Sequence, residues 1–167
     1  MTMTKTINEL LANLGTLVDN EDNTIQRNGA NLVDGFFMSF NEVDVDMETT
    51  ADVLWYLTDI QVRDFALGIL DKYNSVRTEQ ALLYLVEKAP TDSKYISAPA
   101  SLLAQLYYEQ GKQGDAFLML TNAQSNYSLA LLLDRVFKSG WDPKSFSKMR
   151  AELHPKVVAG IFGDGEE

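Results

Sequence analysis

Three carboxylates, Asp44, Asp46 and Glu48, alternate along the segment 41–48, a pattern that can gather oxygen ligands around a divalent cation. A calcium loop of the helix–loop–helix type needs glycine at its sixth position and glutamate at its twelfth. Counting from Asp44, those places hold Thr49 and Trp55, so that assignment fails. A looser carboxylate–metal hydrolase stays as a minor alternative, and a solvated acidic loop is the default. His154 is the only histidine and there is no cysteine, so the usual zinc ligand sets cannot form. No Gly-x-Ser-x-Gly motif accompanies His154, and with Pro155 after it this residue reads as the start of a helix. The Gly111 to Gly114 segment is too short for a phosphate-binding loop and follows a helical pattern where that motif needs a strand. No residue is assigned a catalytic role, and no metal or cofactor is expected.

The remaining candidates bind rather than react. Arg63 stands four residues after Asp59, a spacing that lets the two pair on a helix, or lets a buried Arg63 tie helices together. Trp55 and Tyr56 are adjacent and cannot both face inward from one helix stripe, so one ring is expected at the surface. Tyr107 and Tyr108 divide the same way between a helix contact and the outside. Exposed aromatics near carboxylates suit protein–protein contacts. The binding candidates are therefore Asp44, Asp46, Glu48, Trp55, Tyr56, Arg63 and Tyr107.

The elements that carry these residues are helical. Ile7, Leu10, Leu11, Leu14, Leu17 and Val18 recur at spacings of three and four over residues 5–18. A polar loop over 19–24 follows, and Leu32, Val33, Phe36, Phe37 and Phe40 resume the stripe. Residues 41–48 alternate like a strand, but Asp and Glu are poor strand formers and an extended loop is expected. A short helix over 51–57 is expected with Thr49 or Thr50 as its cap. Asp59 caps the next helix, Thr78 a third that stops at Pro90, and Ser97 a fourth over 98–110 with Pro99 in its first turn. Gly111 and Gly114 bracket a turn, Ser128 opens a helix that Gly140 ends, and Asp142 with Pro143 opens one through Ala151. A last short helix spans 157–161, and 163–167 form a disordered tail. The fold class is all-α, one domain over 1–162 built as a compact bundle of antiparallel helical hairpins.

A chain of 167 residues with 46% apolar and 23% charged side chains fits a single soluble domain that buries roughly 70% of its unfolded surface. The longest apolar run, Ala81 to Val86, is too short to span a bilayer, and a cytoplasmic protein is expected. Its net charge of −10 is unevenly placed. Residues 1–60 carry 11 acidic and 2 basic side chains, whereas 61–167 carry 13 and 12. Such a surface repels nucleic-acid phosphates and attracts a basic partner. Alternatively, the acidity serves only solubility.

From Val62-Arg63-Asp64 through Ala98-Pro99-Ala100, Gly111, Ala116, the Tyr127 to Leu133 run, Gly140 and Asp142-Pro143, the chain resembles the C-terminal part of an actinobacterial and actinophage family. That family is catalogued as domain of unknown function 4192. The resemblance covers about half the chain and leaves the first 60 residues unmatched, implying a shortened, phage-encoded version. It implies no activity, because none is established for the family. Separately, Tyr107 or Tyr108, Gly111, Ala116, Leu120 and Ala123 resemble one tetratricopeptide hairpin. A repeating array would need a 34-residue period and at least three units, which this chain lacks. The expected function is a non-enzymatic protein-interaction module, with a host factor as partner and a homodimer allowed. The alternatives are an acidic DNA mimic that inhibits a nucleic-acid-binding enzyme, and the carboxylate–metal hydrolase.

Overall fold

The computed structural model describes residues 5–15 and 23–163. Among them the chain forms nine helices and no strand. They are α1 (Ile7–Leu14), α2 (Thr24–Ser39), α3 (Met47–Tyr56), α4 (Ile60–Gly68), α5 (Ser75–Lys88), α6 (Lys94–Glu109), α7 (Gln113–Leu120), α8 (Ser128–Lys138) and α9 (Pro143–Phe162). The all-α reading therefore holds. Leu17, Val18, most of the polar loop over 19–24 and the tail after Gly163 lie outside the described residues. None of the described helices is long and apolar enough to cross a membrane.

α6 is the spine. All residues from Ile96 to Leu106 are buried, as is Tyr108, so this helix is enclosed on every side by α3, α4, α5, α7, α8 and α9. Alanine and serine at Ala98, Ala100, Ser101 and Ala104 let those neighbours approach closely. The buried hydroxyls are satisfied by turning back on the helix: Ser101 donates to the Ser97 carbonyl at 2.8 Å, and Ser97 to the Ser93 carbonyl at 3.3 Å. Ser97 is thus not the cap expected of it. Ser93 caps α6, accepting from the Tyr95 amide at 3.2 Å, and Ser97 instead accepts from the Gln124 amide at 2.9 Å, pinning the chain after α7. Pro99 consequently falls inside the helix.

Two apolar cores flank this spine. The larger joins Leu11, Val33, Phe37, Leu54, Val62, Leu82 and Leu102 with residues of α1 to α6, and Ile161 returns to it from α9. The smaller joins Tyr108, Ala116, Leu133, Phe137 and Phe146 between α6, α7, α8 and α9, where the Tyr108 and Phe137 rings stack at 4.4 Å. Gly111 makes the α6–α7 turn with φ of 81°, a conformation that other residues adopt at a cost. α7 begins at Gln113 and ends at Leu120, so Gly114 is helical and Ala123 lies beyond the helix.

Several helix starts differ from expectation. α3 is capped by Asp46, not Thr49 or Thr50, and α5 by Asn74, not Thr78. Asp59 and Asp142 cap α4 and α9 as their positions suggest. α9 does not break at His154 and Pro155. It runs unbroken to Phe162, because Val157, Val158, Ile161 and Phe162 pack on the larger core and outweigh the lost proline hydrogen bond.

Candidate functional site

The acidic segment is an ordered loop built by Asn41. Its side-chain oxygen accepts from the Val43 amide at 3.1 Å, and its carbonyl accepts from the Asp44 and Val45 amides at 3.0 and 3.1 Å. Its amide group donates to Asp44 at 3.1 Å. Asp46 then accepts from the Thr49 amide at 2.7 Å to start α3, and that bond holds its carboxyl below the usual carboxylate range. Thr50 anchors the start of α3 from below, its hydroxyl 2.8 Å from the buried Tyr84 hydroxyl. Glu48 lies exposed in the first turn, near the positive end of the helix. Burial, followed by the charges of Glu48 and Asp46, pushes the Asp52 carboxyl up, a sign of how closely the carboxylates are gathered.

This loop is a ridge between two grooves. On one side lies a groove of about 410 Å³, floored by Leu32, Phe36, Phe40 and Val45 and edged by Met38, Asp44 and Asp46. On the other, a shallow groove of about 670 Å³ runs along α5 past Leu83, Tyr84 and Glu87. Phe40 and Asn41 line both. The Phe40 ring is wedged between Phe36 at 5.3 Å and Tyr84 at 5.4 Å, which fixes the root of the ridge. At its crest Val43 is 90% exposed between Glu42 and Asp44. Arg77 closes the C-terminal end of α2 by donating to the Met38 carbonyl at 2.8 Å.

The other candidates lie elsewhere. Trp55 and Tyr56 sit at the far end of α3, and both are half-buried. The Trp55 indole donates to the Gly15 carbonyl at 2.8 Å, holding the end of α1. Tyr56 packs on Gly29, where an added Cβ would stand 2.8 Å from its ring. Arg63 is buried and does not pair with Asp59, which is engaged as a cap and accepts from Gln26 at 2.8 Å. Arg63 instead pairs with Asp64 at 2.8 Å and reaches Ser128 at 3.4 Å and Tyr127 at 3.5 Å, joining α4 to the start of α8. Tyr107 lies beside the α6–α7 turn under the Lys112 ammonium at 5.6 Å. Of the seven, Asp44, Asp46 and Glu48 share one surface. Trp55, Tyr56, Arg63 and Tyr107 do not join it.

A second polar constellation had no signal in the sequence, since its members are far apart in the chain. Arg150 of α9 grips Glu109 of α6 with two bonds, of 2.9 and 2.7 Å. Its other nitrogen donates to the Leu67 carbonyl at 3.1 Å and the Gly68 carbonyl at 3.3 Å, and lies 3.3 Å from Asp71. Gln105 donates to the same glutamate. These bonds satisfy the last carbonyls of α4 and lock α4, α6 and α9 together. One turn on, His154 lies against Gly68 with its Nδ1 buried and without a hydrogen-bond partner among the described residues. Burial, with the Lys72 and Arg150 charges adding to it against Asp71, holds the imidazole below its ordinary pKa, so it is neutral at pH 7. Among the described residues no group of three or more His, Asp or Glu side chains gathers as metal ligands would.

The sequence matches the family model described as Domain of unknown function (DUF4192) over residues 3–144, and the chain belongs to that family. The match takes in α1 to α8, so residues 3–60 belong to the family region too, contrary to the expectation that only the Val62 to Pro143 stretch does. No curated protein and no solved structure matches the chain.

Proposed function

We propose that this DUF4192 family member is a non-enzymatic protein-docking module whose contact surface is the acidic ridge 41–48 with the groove behind it. One observation carries the reading: an ordered loop holds an aliphatic side chain in solvent at Val43, flanked by carboxylates, over an aromatic-floored groove. Isolated exposed apolar residues are ordinary on protein surfaces. This one stands on a loop whose turn, helix cap and aromatic root all fix its position, which lowers the ordering cost of binding. The carboxylates favour a partner with a basic surface and speed its encounter. We read its setting as the cytoplasm of a bacterial or phage-infected cell, compatible with a chain that contains no cysteine.

The reading is tested by charge reversal at two exposed positions, Glu42→Lys with Glu48→Lys. Stability should stay within about 1 kcal/mol of wild type, since a lysine at 48 opposes the positive end of α3 but gains Asp52 as an opposite charge four residues on. Proteins captured from a bacterial lysate by the wild type should be lost with the variant. An unchanged set of captured proteins would remove the ridge from consideration. A DNA mimic would instead capture nucleic-acid-binding enzymes and be displaced by added duplex DNA.

A further inference from the structure

At another surface of the molecule, α4, α8 and α9 leave an apolar cleft unfilled. Its volume is about 220 Å³, and its walls include Leu67, Leu129, Leu132, Met149, Leu153 and Val157. Leu132 and Leu153 stand at 48% exposure on this cleft. Arg135 follows Leu132 by three residues on α8, and Lys156 follows Leu153 by three on α9, both exposed. Residues three apart on a helix are neighbours, so each leucine has a cation beside it. The segment 135–156 carries six basic and two acidic side chains, the reverse of the first third of the chain. Within the cleft the Asp64 charge is offset by Arg63 at 2.8 Å.

The crest of the ridge has the complementary character. Val43 is an aliphatic knob between two carboxylates, and the cleft is an aliphatic hole with a cation three residues beyond each of its two exposed leucines. An apolar cavity of about 150 Å³ takes up a molecule the size of benzene, so this cleft has room for an isopropyl group. We propose that the partner of the ridge is a second copy of this chain, with Val43 of one copy seated in the α4/α8/α9 cleft of the next. The inference rests on the docking reading above and names its partner. Ridge and cleft share no lining residue, so the contact is head to tail, and each copy keeps one free ridge or cleft for a further copy.

Sedimentation equilibrium of the full chain over a wide concentration range tests it. The wild type should associate with rising concentration, and high salt should weaken association by roughly three- to tenfold, as expected when about two exposed ion pairs are screened. Val43→Asp and Leu132→Glu change exposed side chains, so both should melt like wild type, and each alone should be monomeric. An equal mixture of the two should form complexes of two copies and no larger, because each variant retains the half that the other lacks. A wild type that stays monomeric, or a mixture that does, overturns the proposal. Association that survives Val43→Asp but not Leu132→Glu overturns it too, revealing cleft-to-cleft pairing in its place. The docking reading fails separately, when a wild type that does not self-associate also captures the same lysate proteins after reversal of Glu42 and Glu48.

Discussion

Arg150 is only 3% exposed and holds a carboxylate that is nearly as enclosed, so its removal strands Glu109 without a counter-charge. Arg150→Ala should cost about 3–5 kcal/mol in urea unfolding, while Arg150→Met combined with Glu109→Leu should recover much of that loss. His154 gives a pH signature. Its folded pKa lies below the unfolded value of 6.5, so the unfolded chain binds the extra proton between the two values. Stability from this residue is complete above about pH 6.5 and declines as pH falls toward the lower, folded pKa. His154→Gln should flatten the decline in unfolding midpoint between about pH 7.5 and 5.5 that the wild type shows. Neither residue advertised its role: Glu109 is 41 positions from Arg150, and the proline after His154 imitates a helix start.

Glycines within helices separate close approach from mere tolerance. On α2 a Cβ at Gly29 would come within 2.8 Å of both Tyr56 and Val62, and at Gly68 on α4 it would reach 1.9 Å from His154. At Gly35, also on α2, nothing lies within 4 Å. Gly35→Ala should therefore stabilise by about 0.5–1 kcal/mol in thermal or urea unfolding. Gly29→Ala and Gly68→Ala should destabilise by about 1–3 kcal/mol, since overpacking outweighs the gain in helix propensity. Helix existence was legible from apolar spacing almost throughout, and Asp59, Asp142 and Gly111 were legible because caps and turns are local chemistry. The misplaced starts share a cause. Asp46, Thr49 and Thr50 can all cap, as can Asn74 and Thr78, or Ser93 and Ser97, and the core decides which one does by setting where the helix must lie. Pro99 and Pro155 likewise read as helix starts until burial of the residues around them is known. At the candidate site the acidic loop was legible from composition, whereas its grooves come from Phe36, Phe40 and Tyr84 meeting across α2 and α5.

At the scale of the whole molecule, the helices are not equally secured. α1 packs chiefly on α3 and buries only Leu11 fully among its residues, while α6 is buried at every position from Ile96 to Leu106. Amide hydrogen exchange should be fastest through α1 and slowest through α6, where opening requires disrupting both cores. Leu133→Ala, deep in the smaller core, should cost about 2–5 kcal/mol in urea unfolding. The chain also has one indole at each core: Trp55 packs on the larger, and Trp141 has its ring 6.1 Å from Phe146 of the smaller. Replacing either with phenylalanine leaves a single indole, so its emission, excited at wavelengths where tyrosine does not absorb, follows one half of the protein during unfolding without labelling. Coincident traces from the two versions would mark a single cooperative unit, and separated traces would reveal which half lets go first.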